Sequence, residues 1–370
     1  MTNIVLYRKY RPQKFSEIVG QQHIVKTITN AVSSGLLSHA YLFTGPRGSG
    51  KTTIARLLAK AINCENKQNN YEPCNECSSC EEIMKGNSMD LIEIDAASQG
   101  GIDGMRELKK NIKIVPSKSL YKTFIIDECH QLTKEASNAL LKTLEEPPAH
   151  TIFILATTEI HKMIPTIVSR CQRYNFRKLT IQEIIEKLEF ICKKENIKIE
   201  KPALEIIALC SEGAIRDAES FLDQALNLSG TDKKEIKAQD IKDFLGLVET
   251  NLLSSFFGLI IEKQQSQAVE FLNKIINQGI DIQEFAKTFL NYLRQAVILK
   301  ISEEKYNENS IISGLTKEEF EKLEAQTQNI SEEKLNNIIN FFMEAENKIK
   351  YSSIPQLPLE LATIKSCGIV

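Results

Sequence analysis

The segment Gly45-Pro46-Arg47-Gly48-Ser49-Gly50-Lys51-Thr52 constrains this chain more than any other. It follows a short apolar run, Tyr41-Leu42-Phe43-Thr44, and precedes a helical pattern from Ile54 to Ala61. A glycine-rich turn between a strand and a helix lets successive backbone N–H groups point into one concavity at a helix N-terminus, where the helix dipole also favours anions. Ending in Lys and Thr, the pattern G-x-x-x-x-G-K-T is a phosphate loop. Lys51 is expected to bridge the β- and γ-phosphates of ATP, and the Thr52 hydroxyl to ligate Mg2+. Gly45 to Gly50 and Thr53 complete the expected phosphate contacts.

The neighbouring sequence supplies the fold such a loop needs. Short β-rich runs alternate with helical patterns from residue 40 to about 177: Tyr41–Thr44, Leu91–Ile94, Thr123–Ile126, Thr151–Leu155 and Gln172–Phe176. Several are apolar on both faces, as strands inside a parallel sheet are. The expected class is α/β, a P-loop nucleotide-binding domain with crossover helices. A helix from Thr133 to Glu146 is stopped by Pro147-Pro148. The run Phe124-Ile125-Ile126 ends in Asp127-Glu128. At a strand tip beside a phosphate loop, the first carboxylate completes the Mg2+ environment. The second is then placed to polarise water for attack on the γ-phosphate.

Cys64, Cys74, Cys77 and Cys80 form C-x9-C-x2-C-x2-C, while the other five cysteines are scattered. Four thiolates this close in sequence can close one tetrahedral site, and structural zinc is the expectation. The alternatives are free thiols or an iron–sulfur centre, since C-x2-C-x2-C also opens ferredoxin motifs. Met84-Lys85 stand where the fourth Cys and Pro of that motif belong. With Lys+Arg 46 against Asp+Glu 48, no global positive field attracts nucleic acid, so DNA binding requires a local surface or an assembly. No apolar run reaches the ~18 residues of a spanning helix, and Met1 to Pro12 has no apolar segment resembling a signal peptide. A cytoplasmic location without membrane association is expected.

After Lys178 the strand signals stop. Thr180-Ile181-Gln182-Glu183 is a capping box, followed by helices from about Pro202 and from Ala214 to Leu228, with a turn at Ser229–Asp232. Beyond 243 the pattern is helical only. Ile282, Phe285, Phe289, Leu293 and Val297 form one apolar stripe, and Leu335, Ile338, Ile339, Phe342, Ala345 and Ile349 another. The expected division is 1–178 for nucleotide binding with the cysteine module at 64–80, 179–242 for a helical lid, and 243–370 for a helical collar.

With these motifs in this order, the chain resembles the gamma/tau family of bacterial clamp-loader ATPases, within the AAA+ superfamily. The resemblance is carried by Tyr10-Arg11-Pro12-Gln13-Lys14-Phe15 with Val19-Gly20-Gln21, by His39–Phe43, Asp90–Ser98, Ala139–Pro148, Ala156-Thr157-Thr158 and Ser169-Arg170-Cys171. It implies that Tyr10, Arg11, Pro12 and Val19 line an adenine pocket and that Thr158 senses the γ-phosphate. It implies further that Arg170 reaches a neighbouring subunit's ATP and that Arg216, in Gly213-Ala214-Ile215-Arg216-Asp217, contacts the γ-phosphate in cis. By residue chemistry alone, Arg170 reads as a surface ion pair and Arg216 as a partner of Asp217. The implied activity is ATP hydrolysis driving the loading of a β sliding clamp onto primer-template DNA, with other gamma/tau copies, delta and delta-prime as partners. A non-hydrolysing stator and a branch-migration motor are the competing readings. The intact phosphate loop with Asp127-Glu128 argues against the first, the cysteines and helical collar against the second. No second carboxylate set for nucleotidyl transfer remains, so no polymerase site is expected. After Ser98 the chain has Gln99-Gly100-Gly101-Ile102 where related chains place a basic residue near DNA; Arg106, Lys109 and Lys110 offer a substitute set.

Overall fold

The computed structural model describes residues 4–99, 110–112, 114–228, 235–246, 248–302, 317–328 and 330–369. The chain divides into two compact units, Met1–Lys237 and Ala238–Val370.

In the first unit, among the described residues, β1 (Ala40–Thr44), β2 (Leu91–Asp95), β3 (Lys122–Asp127), β4 (Thr151–Thr157) and β5 (Gln172–Asn175) form a parallel sheet in the order β2-β3-β4-β1-β5. The period-2 alternation of a strand sorts its side chains onto two helical layers. Tyr41 and Phe43 of β1 join Ile152, Ile154 and Ala156 of β4 on one face, under helices Gln22–Ser34 and Lys51–Asn63. Ala40 and Leu42 join Phe153 and Leu155 on the other, under helix Lys134–Glu145. Both faces are covered, which is why β1 and β4 are buried along their whole length. The α/β expectation therefore holds, with each anticipated strand found within about two residues of its ends.

Parallel pairing also aligns the strand tips. Thr44 lies opposite Thr157, and Asp95 opposite Asp127, so the phosphate loop and the acidic pair leave the sheet at the same edge. This is where ligands bind in open α/β sheets. Three helices follow: Ile181–Glu195, Lys201–Cys210 and Ile215–Leu228. The first opens on a complete capping box, with Glu183 N donating to Thr180 Oγ1 at 3.2 Å and Thr180 N to Glu183 Oε2 at 2.9 Å. Arg177, hydrogen-bonded to both Glu183 oxygens, takes that carboxyl down to about 2. The turn expected at 229–232 lies outside the described residues.

The second unit contains helices at 238–244, 250–261, 265–277, 282–302, 317–328, 332–349 and 357–369. Its centre is aromatic: Phe289 sits 4.9 Å from Phe256 and 4.8 Å from Phe342 between ring centroids, both edge to face. Phe285, Phe289 and Leu293 from one expected stripe, and Leu335, Ile338, Phe342, Ala345 and Ile349 from the other, are buried in that cluster. Among the described residues, no helix is long and apolar enough to cross a membrane.

Candidate nucleotide site and metal centre

The phosphate loop takes its shape from glycine. Gly48 has φ +73°, and a Cβ there would lie 2.7 Å from the Ala214 side chain, so only glycine lets the loop meet the start of helix Ile215–Leu228 this closely. Lys51 Nζ donates to the carbonyls of Gly45 and Pro46, both at 2.8 Å. Burial lowers the affinity of this ammonium for its proton, while Glu128 and Asp127 pull the other way. Thr52 Oγ1 donates to Asp127 Oδ2 at 2.7 Å, which brings the loop and the β3 tip together as expected. A hydroxyl and a carboxylate at hydrogen-bond distance form an all-oxygen pair suited to Mg2+. Glu128 follows in a left-handed conformation, φ +46°, with its carboxylate accepting from Thr158 Oγ1 at 3.1 Å. A non-glycine residue there is strained by about 1–3 kcal/mol, a cost found most often where function fixes the backbone.

The cavity above the loop draws its walls from three places. Arg47 to Ile54, Asp127 and Glu128 form the floor. The N-terminal arm contributes Tyr7, Arg11, Pro12, Ile18 and Val19, and the helical region contributes Leu179, Lys187, Ile215, Arg216 and Glu219. Arg11, Pro12, Val19 and Arg216 all line this cavity. Tyr10 does not: its hydroxyl donates to Glu195 and its ring meets Phe190 edge-on at 6.4 Å. Burial and the Glu195 carboxylate push this phenol up to about 12. Tyr7, one helical turn earlier, lines the cavity instead, with the Arg216 guanidinium 4.9 Å from its ring centroid. Tyr10 fails as a wall residue because its side chain is committed to helix Ile181–Glu195. Arg216 forms no ion pair with Asp217 among the described residues. Arg170 lies outside the cavity, bound to Glu145 Oε1 at 2.9 Å and the Thr166 carbonyl at 3.0 Å, the surface ion pair that its chemistry alone suggested.

Lys187 and Glu219 escaped the sequence reading. Both are buried, and burial lifts the Glu219 carboxyl to about 7 against the opposing pull of Lys187 and Arg11. The available signal was helical spacing: Glu219 follows Arg216 by three residues, hence on the same face.

Cys64, Cys74, Cys77 and Cys80 come together, with their sulfurs within 4.8 Å of one another and Cys74 Sγ 4.0 Å from Cys80 Sγ. A tetrahedron with Zn–S of about 2.3 Å has edges of about 3.8 Å, so the donor set fits zinc. Burial opposes the Cys74 thiolate, but N–H groups of Glu76 and Cys77 aimed at its sulfur prevail and bring the thiol to about 7. Inside the same loop, the Glu72 carboxylate accepts the backbone N–H groups of Phe15 and Ser16, each at 2.8 Å. Of the substitute basic residues for DNA, Lys110 is exposed, and Arg106 and Lys109 lie outside the described residues.

Three family models match the chain: "DNA polymerase III, delta subunit" over residues 20–180, "DNA polymerase III clamp loader subunit, ATPase lid domain" over 183–231, and "DNA polymerase III subunits gamma and tau domain III" over 236–369. DNA polymerase III subunit tau of Bacillus subtilis is 41% identical over 369 residues, 99% of this chain and 64% of that protein. The tau subunit of Escherichia coli is 39% identical over 82% of this chain and 46% of its own length, so the chain spans about half to two thirds of these tau relatives. Subunit gamma of Buchnera aphidicola from Acyrthosiphon pisum is 41% identical over 78% of this chain and 79% of that protein. Among solved structures, the Thermotoga maritima RuvB branch-migration motor gives a TM-score of 0.49 at 18% identity, covering 78% of this chain and 92% of the other. Matched along nearly its whole length, the chain belongs to the gamma/tau family of DNA polymerase III subunits.

Proposed function

We propose that this chain is the ATPase motor of a bacterial DNA polymerase III clamp loader, acting in the cytoplasm. The observation that carries the reading is the 2.7 Å contact between Thr52 Oγ1 of the phosphate loop and Asp127 Oδ2 at the β3 tip. It joins the two halves of an ATP and Mg2+ site in one cavity. Loop N–H groups from Gly45 to Thr53 cradle the phosphates, and Lys51 exchanges its carbonyl partners for phosphate oxygens. Thr52 and Asp127 would hold Mg2+, which when bound would supply neutralisation of charge on the phosphates. Glu128 accepts a proton from the attacking water, Thr158 reads the γ-phosphate, and Arg216 ties the helical lid to the same group.

Arg170 acts in trans. Its planar, permanently charged fork suits the phosphoryl charge in a neighbouring site, for which it leaves Glu145. Hydrolysis therefore belongs to an assembly with other gamma/tau copies, delta and delta-prime, which opens the β sliding clamp and closes it on primer-template DNA. We assign nucleotide binding to 1–178, the lid to 179–242 and the oligomerising collar to 243–370. The four cysteines hold a structural zinc, and DNA is held through phosphates, in a salt-dependent and sequence-independent manner.

Steady-state ATP hydrolysis by the chain reconstituted with delta, delta-prime and the clamp, with and without primed DNA, tests this. Strong stimulation by clamp plus primed DNA is expected; ATP binding without stimulated turnover would favour a stator. Arg170→Ala should retain ATP binding and cripple turnover in the assembly, and normal turnover in that variant would sink the trans role.

A further inference from the structure

One buried ring beside the acidic pair has no part in the reading above. His130 lies in the single turn Cys129–Gln131 after β3, and its side chain is only 5% exposed. Its Nδ1 stands 2.9 Å from Thr157 Oγ1 at the tip of β4, and 3.5 Å from Glu128 Oε2. Its Nε2 stands 3.4 Å from Glu159 Oε1. Thr157 Oγ1 also accepts the backbone N–H of Glu159 at 3.0 Å. The imidazole therefore bridges the tips of β3 and β4, in van der Waals reach of the carboxylate that ends one and the carboxylate that follows the other.

A carboxylate at the end of a flexible side chain needs fixing if one oxygen is to meet a water reliably. Glu128 Oε2 is bracketed by the Thr158 hydroxyl at 3.1 Å and the His130 ring at 3.5 Å. Oε1 takes no hydrogen bond among the described residues and is the oxygen left for water. The ring is itself hydrogen-bonded to Thr157 and lies beside Glu159, contacts that do not involve Glu128. Such support around a reacting group is the source of preorganisation, and misplacement by about 1 Å can cost about 100-fold in rate.

We propose that His130 is a positioning residue for Glu128, its ring anchored on Thr157 and holding the carboxylate in the orientation that accepts the proton of the attacking water. This rests on the reading of the chain as an ATPase. In the step served, the water oxygen bonds to the γ-phosphorus and the bond to the β–γ bridging oxygen breaks, its electron pair leaving with ADP. A water proton passes to Glu128, and His130 exchanges no proton.

Three substitutions in the reconstituted complex, with clamp and primed DNA, test it, with ATP affinity and melting measured alongside. The amide of asparagine stands close to the Nδ1 position, and that of glutamine close to the Nε2 position. His130→Ala should lower kcat by about 100-fold with ATP affinity nearly unchanged. His130→Asn should recover most of that loss, and His130→Gln little of it. If His130→Ala does not fold, the Asn and Gln pair decides. Wild-type kcat in His130→Ala, or equal kcat in the Asn and Gln variants, overturns the positioning role while leaving the ATPase reading intact. Absence of stimulated turnover in the wild-type complex overturns both.

Discussion

The centre of unit 238–370 and the nucleotide cavity of unit 1–237 are both buried, but with opposite chemistry. In the first, Phe256, Phe285, Phe289 and Phe342 interlock, edge to face about Phe256 and stacked between Phe285 and Phe289, with exposures of 0 to 1%. In the second, Lys51, Ser49 and Glu219 are also buried, at 4 to 6% exposure, beside Lys187. Burying aromatic area is favourable, whereas burying charge is costly unless partners repay desolvation. The helical core therefore needs only packing to explain it. The cavity carries a cost that a polyanion bearing its own metal would offset.

The comparison can be broken most severely at Lys51. Lys51→Ala should abolish ATP binding, read by titration with a fluorescent ATP analogue, and leave the melting of the helical unit unchanged. If ATP still binds, the charge in the cavity has another purpose. Phe289→Ala should do the reverse, destabilising the helical unit by about 3–5 kcal/mol in denaturant titration with ATP affinity intact. A change below about 1 kcal/mol would show that the aromatic cluster repacks freely.

Glu219 sharpens the contrast through pH. Its carboxyl rises from about 4.5 to about 7 on folding, so between those values the folded chain holds a proton that the unfolded chain releases. The contribution of Glu219 to the stability of unit 1–237 should be full below about pH 4.5 and fall by about 2–3 kcal/mol as pH rises to about 7. Glu219→Gln should flatten this slope; an unchanged slope would place the titration elsewhere. The smallest effect is expected at the surface, where Thr180→Ala should cost about 1 kcal/mol by removing a helix cap, without touching ATP affinity.

Periodicity and strong motifs made much of this legible in sequence. Helix Lys134–Glu145 and the stripe through Phe285 and Phe289 were visible because apolar spacing encodes the buried face directly. The loop at Gly45–Thr52 and its meeting with Asp127 were visible because the chemistry admits few substitutes. Tyr7, Lys187, Glu219 and His130 were not, for their roles depend on which elements meet in space. Nothing local separates Tyr7 from Tyr10; helix Ile181–Glu195 decides between them by accepting the Tyr10 hydroxyl. His130 reads as an ordinary loop residue until β4 brings Thr157 beside it.

Glu72 gives the cysteine loop a second consequence. Its buried carboxylate clips the backbone at Phe15 and Ser16, and the arm it fastens supplies Ile18 and Val19 to the nucleotide cavity. With the proposed zinc bound, folding of the loop around it and closure of the cavity wall would be coupled equilibria, and the coupling would run both ways. Stripping the metal should loosen the grip on ATP. Saturating ATP should, in return, slow the escape of the metal to a competing chelator, making the nucleotide a guardian of an ion it never touches.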